Sequence, residues 1–117
     1  MTPEAAKASY RRALNAAGQT VFIRRYTGSG ENRPHFDAPV MARVTGYEPD
    51  ELVGTIQQGD RKVIVLADDL IAAHIPLDLK KGDKVVVRGK ELNIEVADDS
   101  TRRIQGVLIA YELQARG

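Results

Sequence analysis

Residues 80–97, KKGDKVVVRGKELNIEVA, decide the fold. Lys80-Lys81-Gly82-Asp83 is a turn, residues 84–88 are a strand, and Gly89-Lys90 is a second, tighter turn. Residues 91–97 form the returning strand, with Leu92, Ile94 and Val96 alternating toward one face. A period of two bounded by glycine turns belongs to an antiparallel hairpin.

Working outward, Asp98-Asp99-Ser100-Thr101 makes another turn. Residues 102–114 are the last strand, with Val107, Ile109, Tyr111 and Leu113 on one side. Upstream, residues 62–66 (KVIVL) are an apolar strand suited to burial on both faces. Residues 67–73 (ADDLIAA) read either as one helical turn capped by Asp68 or Asp69, or as irregular chain. Residues 40–47 form a strand with Val40, Ala42 and Val44 on one face and Met41, Arg43 and Thr45 on the other. Val21, Ile23 and Arg25 alternate with Phe22, Arg24 and Tyr26 in the first strand.

The N-terminal segment changes period to 3.6. Thr2 caps, Pro3 suits the first turn, Glu4 complements the helix dipole and Gly18 marks the stop. Ala6, Tyr10, Ala13, Leu14 and Ala17 share one thin face, so this helix needs a neighbour to lie against. The expected fold is therefore mainly β: a small antiparallel barrel or sandwich of about six strands with an N-terminal helix and long loops. The chain reads as a single domain over 1–117, with the helix over 1–18 and a β core over 19–117. Extended loops span about 27–39 and 48–61, the second an extended excursion or a hairpin flap. The sequence carries no evident internal repeat.

The 117 residues hold no Cys and no Trp, which excludes a disulfide scaffold, a thiolate metal site and a cysteine nucleophile. Seventeen basic against sixteen acidic side chains leave +1, too weak a field to imply a nucleic-acid or membrane partner. The balance is uneven: residues 1–46 carry seven basic and three acidic side chains, and residues 47–117 carry ten and thirteen. No apolar run is long enough to span a bilayer and no apolar signal region is evident, so a soluble chain made in the cytoplasm is expected.

No catalytic or cofactor constellation emerges. His35 and His74 lack metal-ligand spacing, so the expectation is a solvated His35 and a satisfied His74. Gly28-Ser29-Gly30 lacks the rest of a phosphate loop. The pairs Asp68-Asp69 and Asp98-Asp99 suit turns and solvated faces better than acid–base work. The expectation is no enzyme, no cofactor and no metal. Four basic doublets, Arg11-Arg12, Arg24-Arg25, Lys80-Lys81 and Arg102-Arg103, keep open an alternative, a small basic-patch β-barrel that binds nucleic acid.

The stretch Leu79-Lys80-Lys81-Gly82-Asp83-Lys84-Val85-Val86-Val87, then Gly89, the strand 92–96, the Asp98-Asp99 turn and the closing strand, resembles the C-terminal half of bacteriophage head–tail joining proteins. The order of helix, extended loops, Gly-Asp turn and strands is similar along most of the chain. The resemblance implies a non-enzymatic virion protein of the neck, synthesised in the bacterial host cytoplasm. It would assemble as a ring between a portal or adaptor ring and the tail proteins, close the packaged head and dock the tail. It also implies partner contacts through Gly28, Gly30, Arg33, His35, Phe36, Tyr47, Leu52, Val53 and Ile56, a helix over 3–16 packed between subunits, and Arg24, Arg25 and Arg33 facing packaged DNA. Near-balanced charge and few aromatic residues suit a chain that stays monomeric until its partner ring is present.

Overall fold

The computed structural model describes residues 1–28, 30, 33–75 and 78–117. In chain order the elements are α1 (Pro3–Ala17), β1 (Gln19–Tyr26), β2 (His35–Gly46), a 3-10 turn (Pro49–Glu51), β3 (Arg61–Leu66), α2 (Ala67–Ala72), β4 (Lys84–Val87), β5 (Lys90–Asp98), β6 (Arg103–Ile104), β7 (Val107–Leu108) and β8 (Ala110–Arg116). Six strands close into an antiparallel barrel in the order β1-β2-β3-β8-β5-β4, and β6 and β7 form a separate small hairpin.

Alternation fills the barrel. Val21 and Ile23 from β1, Ala38, Val40 and Ala42 from β2, and Val63 and Val65 from β3 are buried with Val85, Val87, Leu92, Ile94, Tyr111 and Leu113. Leu70 of α2, with Ile75 and Leu79, joins the same core, so the segment of ambiguous reading is a short helix that plugs one mouth of the barrel. Closure comes from β1 meeting β4 at Phe22↔Val86, Ile23↔Val85 and Arg24↔Lys84. The β4–β5 turn passes through Arg88 and Gly89 at φ 49° and 80°, the mirror-type turn that matches strand twist.

Helix α1 is capped as its sequence indicates: the Thr2 hydroxyl accepts from the Ala5 N–H, and the Gly18 N–H donates to Leu14 C=O. Its buried face is narrower than the periodicity suggests. Ala6 and Leu14 are buried and Tyr10 is half-buried, whereas Ala13 and Ala17 are exposed. That face packs on its own barrel, against Leu66 and Ile109 with Met41 and Ile104 alongside. Arg11 donates two hydrogen bonds to Asp69, and Lys7 lies 3.4 Å from Asp68. The Asp68-Asp69 pair thus ties α2 to α1.

Five other expectations change. The chain re-enters the sheet at His35, so residues 35–39 of the expected loop are strand, and Ser29, Glu31 and Asn32 of that loop lie outside the described residues. The closing strand is interrupted, because Gln105 and Gly106 both take positive φ and turn β6 back on β7 before β8 begins. A β-bulge between Ile94 and Val96 adds one residue to β5, which turns Val96 outward and leaves it exposed. His74 is exposed, at φ 59° just past α2. Burial on both faces of β3 holds only at its end, because its earlier residues alternate between buried and half-buried.

Gly18 joins α1 to β1 at close quarters: a Cβ there would lie 2.5 Å from Leu14 O and 3.0 Å from Ala42 O, both backbone atoms. Gly18→Ala should therefore destabilise the chain by about 1–3 kcal/mol through forced backbone movement. Thermal unfolding checks this; an unchanged midpoint would show that the junction can relax.

Candidate interaction surface

Two Gly-Asp turns brace the barrel, and they are built alike. Gly59-Asp60 precedes β3 and Gly82-Asp83 precedes β4. The Asp60 N–H donates to Gln57 C=O and the Asp60 carboxylate accepts from the Gln57 N–H; Asp83 makes the same two bonds with Lys80. Both carboxylates are almost fully buried, Asp60 at 3% and Asp83 at 4% exposure. An arginine from the opposite strand covers each one. Arg116 donates to Asp60 from Nε at 2.9 Å and Nη2 at 3.0 Å, and Arg25 donates to Asp83 from Nε at 3.0 Å and Nη2 at 2.7 Å. In each case the pair sits one ladder step beyond the last registered residues, Arg61↔Ala115 and Arg24↔Lys84. Two-point arginine–carboxylate pairs are geometrically specific, and removing one partner strands a buried charge.

Residues 48–60 are an extended loop, as expected, but form no hairpin flap. They form a strap laid on the barrel exterior. The side-chain amide of Gln114 donates to Thr55 C=O and to Asp60, and Arg116 also donates to Thr55 C=O. At the other end of the strap, Glu51 accepts from Lys62 at 2.6 Å and from the Glu48 N–H. Tyr47 is half-buried beneath the Lys62 ammonium, 5.3 Å from its ring, and burial followed by the nearby Glu112, Asp60 and Glu51 pushes its hydroxyl up to about 12. Leu52 and Ile56 are half-buried, and Val53 is 66% exposed at the crest.

The hairpin joining β1 and β2 forms the opposite end. Gly28 and Gly30 are exposed with φ of 72° and 99°. The Arg33 guanidinium stacks 4.4 Å over the Tyr26 ring, and His35 meets the same ring edge-on at 5.4 Å. His35 Nδ1 lies 2.9 Å from Asp37, and Phe36 is 49% exposed. Arg24 donates to both Asp37 oxygens and to Glu91, while Tyr26 donates to Glu91 at 2.6 Å. These contacts hold both carboxyls below their usual range, Asp37 through Arg24 first and Glu91 through Tyr26 first. Arg25, occupied by Asp83, also reaches Asp78 at 3.2 Å.

The residues singled out from sequence therefore fall into two groups at opposite ends of β2. Gly28, Gly30, Arg33, His35 and Phe36 gather at its start, and Tyr47, Leu52, Val53 and Ile56 follow its end. Twelve residues of strand, about 40 Å of extended chain, separate the two ends. The buried aspartates escaped the sequence reading, although the shared signal was present: GDRKVIV and GDKVVV are the same turn-then-strand phrase.

Among the described residues, no three His, Asp or Glu side chains come together to hold a metal ion, and no helix is long and apolar enough to cross a membrane. Asp98 accepts from the Ser100 and Thr101 N–H groups, a turn-capping role. No protein-family model matches the chain, and no curated protein matches its sequence.

The Asp60 pair gives a pH prediction. Hydrogen bonds from Arg116 hold its carboxyl at about 2, against the opposing effect of burial, below an ordinary value of 3.8. A depressed carboxyl contributes stability above its unfolded value, and that stability is lost as pH falls from about 4 toward 2. Asp60→Asn should cost on the order of 2 kcal/mol at pH 7 and flatten that acid limb. Urea unfolding across pH 2–7 reads both effects; a variant with an unaltered acid limb would remove Asp60 from its assigned role.

Proposed function

We propose that this chain is a non-enzymatic structural subunit of a bacteriophage neck, assembling as a ring between portal and tail to close the filled head and dock the tail. One observation carries the reading: the exposed residues fall into two groups at opposite ends of a rigid barrel, so two partners can be engaged at once. Val53 projects at the strap end, and Phe36 and Arg33 project at the hairpin end. The Gly82-Asp83 turn supports the resemblance further, because in this chain it is the turn at which the barrel closes, with Asp83 buried under Arg25. Both ends are set on closed β structure, which presents them with little ordering cost on assembly.

Of the three arginines assigned to DNA, Arg24 and Arg25 each already face two carboxylates, Asp37 with Glu91 and Asp83 with Asp78. Arg33 has no carboxylate partner among the described residues and is the one suited to facing packaged DNA. The same pairing weakens the nucleic-acid alternative, since a phosphate would have to displace those carboxylates.

Interrupting this reading frame in a host that makes the particle should yield filled heads and separate tails by electron microscopy, with joining restored by the wild-type chain in trans. Normal tailed particles would contradict the proposal. Filter binding to DNA is expected to be no tighter than micromolar at physiological salt. Submicromolar binding that falls steeply with salt would transfer the function to the nucleic-acid alternative.

A further inference from the structure

The barrel is closed, but one stretch of strand has a free side. β2 pairs with β1 along its length from His35 to Ala42, whereas β3 pairs only with its second half, Ala42–Gly46, before the chain turns into α2. Two hydrogen bonds fix which backbone groups face the gap. The Thr27 N–H donates to Pro34 C=O in the β1–β2 ladder, so even-numbered residues of β2 point their backbone groups toward β1. The Ala67 N–H donates to Ile109 C=O in the β3–β8 ladder, so even-numbered residues of β3 face β2 and meet Arg43 and Thr45. Odd-numbered residues Asp37, Pro39 and Met41 thus point their backbone groups to the side away from β1. The Ala42↔Val65 pair at the end of the β2–β3 ladder takes the Met41 carbonyl, which accepts from the Leu66 N–H. The Asp37 and Pro39 carbonyls and the N–H groups of Asp37 and Met41 lie beyond that ladder, with no hydrogen-bond partner among the described residues.

Beside this edge runs a groove of about 400 Å³ between β2 and α2, lined by Phe36, Ala38 and Val40 on one side and Asp69, Ala72 and Ala73 on the other. A row of unpaired N–H and C=O groups along a groove is the template for strand addition. Pro39 fits it: its nitrogen lies on the open side, where no β1 bond is lost, and it discourages indiscriminate pairing.

We propose that this groove takes an extended peptide segment of a partner protein, added as a strand to β2 in line with β3. The occupant follows from the geometry. Only an extended chain satisfies alternating donors and acceptors, and β3 already pairs with the other half of the same edge. Helix α2 walls the far side of the groove, which blocks the edge of a whole second sheet. Side chains opposite Ala38 and Val40 point toward the core-facing side, against Ala72 and Ala73, so small apolar residues are required at alternate positions. Side chains opposite Asp37, Pro39 and Met41 point outward and are free to be polar. The inference rests on the backbone of β2 and stands whether or not the neck proposal does.

A displayed random heptapeptide library selected on the full chain should enrich sequences with small apolar residues at every second position. For a synthetic peptide of that sequence, N-methylation of an amide facing β2 should weaken binding about tenfold, the loss of one backbone hydrogen bond. N-methylation one residue along, where the amide points away, should leave affinity within about twofold. Ala72→Trp, which fills the groove from an exposed position, should abolish binding with the unfolding midpoint unchanged. The proposal is overturned by a library that enriches nothing, by equal tolerance of N-methylation at both positions, or by binding that survives Ala72→Trp. Self-association of the free chain that Ala72→Trp abolishes would also overturn it, by giving the edge to a second copy.

Discussion

Closure of β1 on β4 is the constraint on which the rest of the molecule depends. An open sheet of these strands would expose Val21, Ile23, Val85 and Val87 and present two bare edges; closure makes them one core. Only three residue pairs join the seam directly, and the Arg25–Asp83 pair extends it one step further. The seam is short because β4 is short, four residues set between the Gly82-Asp83 turn and the tight turn at Arg88-Gly89. Leu70 and its helix then plug the mouth that closure creates.

The second Gly-Asp turn repeats this device at the start of β3. There Asp60 and Arg116 pin the strap, which turns a polar, glycine-bearing segment into a fixed outer layer over β8. Asp60 and Asp83, the buried carboxylates among the described residues, thus fix the strap and the seam. The exposed groups that remain, the hairpin tip and the strap crest, are displayed on a frame held by charge pairs that water reaches poorly.

Much of the fold was legible because alternation and turn chemistry are local. The hairpin over 80–97, the inward set of Val40 and Ala42, and the Thr2 cap all follow from residues a few positions apart. What the sequence withheld was nonlocal or cumulative. The bulge that turns Val96 outward depends on the register of β5 against β8. Ala13 and Ala17 lie on the apolar face by count, yet the barrel presents no surface for them to cover. Arg24 and Arg25 looked like free cations because their carboxylates lie 13 to 67 positions away. The open side of β2 was invisible for the same reason, since it arises where β3 ends and α2 begins.

Native-state hydrogen exchange tests the account most directly, because closure and the open edge make opposite demands on neighbouring amides. The Phe22 and Val86 amides, which bridge the seam, should exchange only through global unfolding, while the Asp37 and Met41 amides on β2 should exchange far faster than those of Ala38 and Val40 between them. Rapid exchange at Phe22 and Val86, or equal protection of all four β2 amides, would contradict a barrel closed by β1 and β4 with one edge left open.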